Sequence, residues 1–306
     1  MPACPPRVQP RPLRTRRPRR SAPDLASAEA RPVTSELLTP RSARVKAARR
    51  LTRRAARMSA QLFLAEGPQA VTAALEVPDC VVEVFATYAA STRHGELASR
   101  TRDLGAAWHR IEDGALASLT DTVSPQGLVA VCRFVDVTLE QVVGASPRLV
   151  AICADVRDPG NAGAVIRCAD AAGADAVILS GHSVDPYNGK VVRASAGSIF
   201  HLPLVREASV GEAVSAFQAS GCQVLAADGD GPVSLDDALD AGDLVRPTAW
   251  LFGNEAWGLP DETRALADQV IAVPIHGRAE SLNLATASAV CLYASARAQR
   301  TAAPDA

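Results

Sequence analysis

No apolar run in the 306 residues approaches the roughly 20 that a membrane-spanning helix needs, so a helical bilayer span is excluded. The seven cysteines (Cys4, Cys80, Cys132, Cys153, Cys168, Cys222 and Cys291) are dispersed and form no C-x-x-C pair. That spacing argues against a disulfide scaffold and against a structural zinc, and makes the cytoplasm the expected compartment. The five histidines form no H-E-x-x-H, so no metal site is expected. The chain has no G-x-S-x-G elbow, and no histidine follows a candidate nucleophile at a strand end, which disfavours a hydrolase. Aromatic residues number only 12, too few for the extensive base stacking of sheet-type RNA binders.

What is present suits a soluble globular protein long enough for two domains, with 48% hydrophobic residues. The net charge of −1 hides an asymmetry. Residues 1–60 hold 16 of the 32 Lys and Arg but only three acids, leaving 16 basic and 30 acidic residues, a formal −14, on the remainder. A basic arm on an acidic body suits a polyanionic partner, and it suits a solubilising tail equally. Residues 1–40 are rich in Pro, Arg, Ala and Ser without apolar period, and read as a disordered, dispensable arm.

From Arg41 to Arg57 a basic stretch has helical character. A helix to Leu75, a β-branched strand Cys80–Thr87, a helix Gly95–Leu104 and a strand Gly127–Val135 then make a small α/β domain over 41–143. Residues 136–148 read as a connector. The region 148–302 alternates strands (149–155, 174–179, 223–227, 248–252, 270–273) with helices (162–172, 189–195, 210–219, 261–266, 282–297). Short apolar strands interleaved with helices predict a parallel sheet covered on both faces.

Three segments of this second region carry candidate chemistry. Asp155–Arg167 leaves a strand end, where open α/β sheets place ligands. There Pro159-Gly160 turns the chain, Asn161 is placed to cap the next helix, Gly163 permits close backbone approach, and Gly173 ends the helix. A structural βα turn with a surface arginine would read the same way. Leu251–Pro260 again runs a strand into a glycine-bounded loop with one acid, Glu255; it is neither a G-x-G-x-x-G loop nor a P-loop. Ile271–Asn283 enters a long Ala-rich helix, with Ser281 as the expected N-cap and a polar Asn283 in the first turn.

Together, Asn161-x-Gly163-x-x-x-Arg167, Gly253-Asn-Glu255-x-x-Gly258-Leu259 and Val273-Pro-Ile275 with Ser281-Leu-Asn283 resemble the three motifs of the SpoU/TrmH RNA 2′-O-ribose methyltransferases, in order. Asn188–Pro203 is also similar to a recurrent family segment, and the resemblance covers roughly residues 40–300. It implies an α/β fold whose C-terminal parallel-sheet domain is tied in a deep trefoil knot, a homodimer formed through the knot, and a smaller L30e-like N-terminal domain that binds substrate. It further implies S-adenosylmethionine as cofactor, cradled around Gly253, Gly258, Val273, Ile275 and Leu282. The RNA partner would be ribosomal rather than transfer RNA; a non-catalytic RNA-binding or ribosome-assembly protein on the same fold is the rival reading, disfavoured because Asn161, Arg167, Glu255, Ser281 and Asn283 are all present.

Arg167 would act at the ribose 2′-hydroxyl with Asn161, Glu255, Ser281 and Asn283. That hydroxyl is a poor nucleophile whose proton must be drawn off as the methyl transfers. An arginine is normally protonated, so orienting a phosphate that relays the proton is the milder role. RNA contacts are expected from Arg49, Arg50, Arg53, Arg54 and Arg57, and from Lys190 and Arg193; a solvated surface is the competing reading.

Overall fold

The computed structural model describes residues 37–302, so most of the basic arm lies outside the described residues. The first sheet has four strands, β1 Leu62–Glu66, β2 Val81–Ala86, β3 Ala107–Arg110 and β4 Leu128–Arg133, in the order β1-β4-β2-β3. β4 is antiparallel to both β1 and β2, while β3 runs parallel to β2. The basic stretch before it forms two helices, Ala43–Arg50 and Arg54–Ala60, rather than one. Arg53 is extended at the break, and Gln61 closes the second helix at a left-handed φ of 54°. Arg44 pins the first helix to the sheet through the buried Glu83, 3.0 Å away.

The second sheet is wholly parallel: β5 Leu149–Ala154, β6 Ala176–Ser180, β7 Leu204–Val205, β8 Gln223–Ala227, β9 Val233–Ser234, β10 Thr248–Phe252 and β11 Gln269–Ala272. Their order is β7-β6-β5-β10-β8-β11-β9. The expected doubly covered α/β sheet is therefore present. β5, β8 and β10 are buried along their length, apart from the last residue of β8, as strands sandwiched between helix layers must be.

Strand order fixes where a ligand can sit. The helix Pro159–Ala172 carries the chain from β5 to β6, away from β10. The chain leaving β10 goes to β11, on the far side of β8 from β5. The adjacent strands β5 and β10 thus flank a topological switch point, whose crevice opens at their carboxyl ends. The C-terminal helix Leu284–Thr301 returns over this sheet, and Trp250 at the middle of β10 donates to Ser295 Oγ at 2.9 Å from a fully buried position.

The two sheets share one continuous apolar core. Phe63 of β1 contacts Tyr187 at a centroid distance of 4.6 Å, and Phe134 stacks on Tyr187 at 3.9 Å. The Tyr187 hydroxyl accepts from the amides of Val135 and Asp136 and donates to the Asp136 carboxylate at 2.7 Å. Burial first, and the Asp136 charge second, push this phenol well above its ordinary pKa, so it stays a donor. Among the described residues no helix is long and apolar enough to cross a membrane.

Candidate active site

Three loops meet at the carboxyl ends of the central strands. The first leaves β5 at Asp155, held at a left-handed φ of 55° with its Oδ1 accepting the His182 amide at 2.7 Å. Asp158 then caps the helix Pro159–Ala172, accepting the Asn161 amide at 2.8 Å, with Pro159 opening the first turn. The sequence assigns this cap to Asn161; the structure gives it to Asp158, because an Asp-Pro pair supplies both the acceptor and the preset φ. The Asn161 amide, with Lys190 Nζ at 3.5 Å in support, holds the Asp158 carboxyl below its usual range. Asn161 sits one turn in, its side chain left for other partners. Gly163, buried, lets the helix Gly189–Ala194 approach: a Cβ there would lie 2.5 Å from Ala194 Cβ and 2.6 Å from the Val191 carbonyl oxygen.

The second loop follows β10. Asn254 and Gly258 exchange backbone hydrogen bonds in both directions at 2.9 Å, closing it on itself. Closure leaves no room for a side chain at Gly253, whose Cβ would fall 2.4 Å from the Gly258 carbonyl carbon. The buried Asn254 ties this loop to the first by donating to the Asp155 carbonyl at 2.6 Å. Glu255 projects from the loop, exposed, and its Oε1 accepts the Asp158 amide at 3.3 Å and Asn161 Nδ2 at 3.1 Å.

The third loop runs from β11 into the C-terminal helix. Asn283, not Ser281, is the N-cap, accepting the Ala285 amide at 2.9 Å. Its Nδ2 donates to Asn161 Oδ1 at 3.0 Å. The contacts form one directional chain, from the Ala285 amide through Asn283 and Asn161 to the Glu255 carboxylate. Each amide's oxygen is used as acceptor and its nitrogen as donor, which fixes both orientations and leaves each nitrogen a second proton.

The structure thus joins Asn161, Glu255 and Asn283, and adds Asp158, a residue outside the motif positions. Arg167 and Ser281 are exposed and make no hydrogen bond or ion pair with these three. Among the proposed cofactor residues, Gly253 is buried, Gly258 is exposed at a φ of 68°, and Val273, Ile275 and Leu282 lie on the third loop. Ile275 is 37% exposed, and the backbone of Pro274–Leu282 makes no hydrogen bond within the described residues. Free amide donors beside apolar side chains, at a switch point, fit the purine and aliphatic parts of S-adenosylmethionine.

Of the arginines expected on RNA, Arg49, Arg50, Arg53 and Arg54 are exposed. Arg57 is not: only 3% exposed, it bonds Asp185 at 2.6 Å and the carbonyls of Leu51 and Thr52 at 3.0 and 2.9 Å. It locks the second helix to the loop after β6, and its burial keeps it from a phosphate. Lys190 is exposed beside Asp158, and Arg193 is half-buried on Glu66 at 3.3 Å. Among the described residues no cluster of His, Cys, Asp and Glu could hold a metal ion.

Residues 148–293 match the model of the SpoU rRNA Methylase family, and residues 42–130 match an MRM3-like substrate binding domain. The chain is 31% identical over 252 residues to the 23S rRNA (guanosine(2553)-2′-O)-methyltransferase RlmP of Bacillus subtilis, covering 82% of this chain and 94% of that protein. It superposes on an AdoMet-bound rRNA methyltransferase from Sinorhizobium meliloti with a TM-score of 0.73 at 31% identity, over 84% of this chain and 95% of the other. The SpoU methyltransferase AviRb from Streptomyces viridochromogenes, in complex with AdoMet, also gives 0.73 at 31% identity, over 86% and 100%.

Proposed function

Because the chain belongs to the SpoU rRNA methylase family, we propose that it transfers a methyl group from S-adenosylmethionine to a ribose 2′-hydroxyl of 23S-type ribosomal RNA. The observation that carries this reading is the directional network Ala285–Asn283–Asn161–Glu255, built from three loops that meet at the switch point. Gly253, Gly258, Val273, Ile275 and Leu282 hold the cofactor, which when bound supplies the electrophilic methyl.

The chain's own residues position the nucleophile. The second protons of Asn161 Nδ2 and Asn283 Nδ2 are donors whose direction is already fixed, so they hold an incoming ribose or phosphate oxygen without reorganising. Arg167 orients the neighbouring phosphate, which would take up the hydroxyl proton as the methyl passes from the sulfonium sulfur to the ribose oxygen and a neutral thioether is left, and Ser281 contacts the same nucleotide. Glu255 serves as the anchor that keeps Asn161 in register.

Residues 41–143 act as the RNA-binding domain, with Arg49, Arg50, Arg53 and Arg54 on phosphates, and residues 148–302 act as the catalytic domain, where Lys190 adds a further phosphate contact. Family membership supports a trefoil knot in this domain, and a strand order with β10 between β5 and β8 and β11 between β8 and β9 is compatible with it. Two copies pair through this knotted domain.

The test is transfer of tritium from methyl-labelled S-adenosylmethionine to unmodified 23S ribosomal RNA and, separately, to bulk tRNA, followed by digestion to nucleosides. Label recovered as a 2′-O-methylnucleoside from the ribosomal RNA is expected. Label from tRNA alone, or in a base-methylated nucleoside, would overturn the assignment.

A further inference from the structure

Beside the network lies a pair of side chains that no step above uses. Trp257, two residues after Glu255, leaves 52% of its surface exposed, and the Arg157 guanidinium lies 5.0 Å from the centre of its ring. Arg157 immediately precedes Asp158, whose amide donates to Glu255, so both members of the pair adjoin the network in sequence and in space. Neither is needed to build the loops. Closure rests on the Asn254–Gly258 backbone bonds and on Asn254 Nδ2 to Asp155, none of which involves the indole. Arg157 is exposed and has no ion pair among the described residues. The two remaining tryptophans are core residues, 7% exposed at Trp108 and fully buried at Trp250.

We infer that Trp257, backed by Arg157, is the platform on which the nucleobase of the target ribose stacks. This rests on the RNA methyl-transfer reading above and names the positioning element within it. A nucleoside's base is attached to the carbon adjacent to the one bearing the 2′-hydroxyl. A ribose presented to Asn161 and Asn283 therefore brings its base near the loops that carry them and Glu255, and the indole stands on the Glu255 loop, held against Arg157 of the Asn161 loop. A guanidinium over an indole face is held by cation–π attraction and leaves the opposite face open, and its charge attracts the adjoining phosphate. Stacking on an indole tolerates any base, so the pair positions the nucleotide rather than reading its identity.

Trp257→Ala is expected to raise KM for 23S ribosomal RNA about tenfold, a typical loss for one stacked base, with kcat changed less than about twofold. Trp257→Phe should restore most of the loss. In the unmutated chain, in-vitro-transcribed 23S ribosomal RNA should quench the fluorescence of the single exposed tryptophan, with Trp257→Phe as the control for absorption by the RNA. An unchanged KM in Trp257→Ala, with normal methylation by the parent chain, would overturn the platform alone. So would quenching by S-adenosylmethionine without RNA, which would put the indole in the cofactor pocket, or quenching on concentrating the protein alone, which would put it at a contact between copies. Failure of the parent chain to methylate any RNA would overturn both readings.

Discussion

Replacing Arg57 by alanine should destabilise the folded chain by about 3–5 kcal/mol, the usual cost of removing one member of a buried ion pair. Here the geometry points to the upper half of that range. Both side chains are nearly inaccessible, at 4% and 7%, and the guanidinium meets Asp185 with two nitrogens at 3.0 and 2.6 Å. The two Nη1 donors satisfy the Leu51 and Thr52 carbonyls. Alanine would strand the Asp185 charge and two carbonyls at once. For a chain of this size each kcal/mol moves the midpoint by about 2–4 °C, so a fall of roughly 6–20 °C is expected. Thermal and urea unfolding of the purified variant measure it. Arg53→Ala and Arg54→Ala, in exposed positions nearby, should shift stability by less than about 0.5 kcal/mol while weakening RNA binding. The double variant Arg57→Met with Asp185→Asn should recover a large part of the loss, since it removes both charges and leaves an oxygen for the Tyr187 amide that Asp185 now accepts. An Arg57→Ala chain that melts within about 2 °C of the parent, and loses RNA affinity as the exposed arginines do, would refute the locking role.

Three further outcomes follow from the same geometry. Asn283→Ala should lower kcat roughly 100-fold in the tritium-transfer assay while the chain stays folded, because Asn161 loses the donor that fixes its orientation; an unchanged kcat would exclude the network from the reaction. Gly163→Ala should cost about 1–3 kcal/mol in urea unfolding, since its Cβ has no space against Ala194 and Val191. Burial, with Glu255 adding to it, pushes the Cys153 thiol up to about 12, and burial does the same for Cys291. Both should resist iodoacetamide at pH 8 in the native chain and react once it is unfolded. The sign follows from linkage: stability from these raised thiols is complete below their ordinary value of 9.0 and is lost as pH rises toward about 12.

Strands β5, β8 and β10 were legible because buried parallel strands are short uninterrupted apolar runs. The two-residue β7 and β9 carry no such signal, and β1 hides in an apolar run with no alternation. Leu139–Gly144, in the stretch that composition marks as a connector, is a helix whose start is set by a capping box of Thr138 and Gln141, a signature present in the sequence. Asp158 was likewise findable from its Asp-Pro pair.

The sequence by itself determined the layer architecture, the three motif loops and their order, because periodicity and turn chemistry act between near neighbours. Only the tertiary structure decided which polar groups became partners. Asn161 meets Glu255 across 94 positions, through β5 and β10, which are neighbours in the sheet, and Asn283 across 122, through a loop that returns from β11, two strands beyond β10. The same holds for Arg57, whose composition marks it as one more surface arginine of a basic stretch. Its partner, Asp185, lies 128 positions away, and only packing of the two sheets into one core brings the charges together and removes them from water.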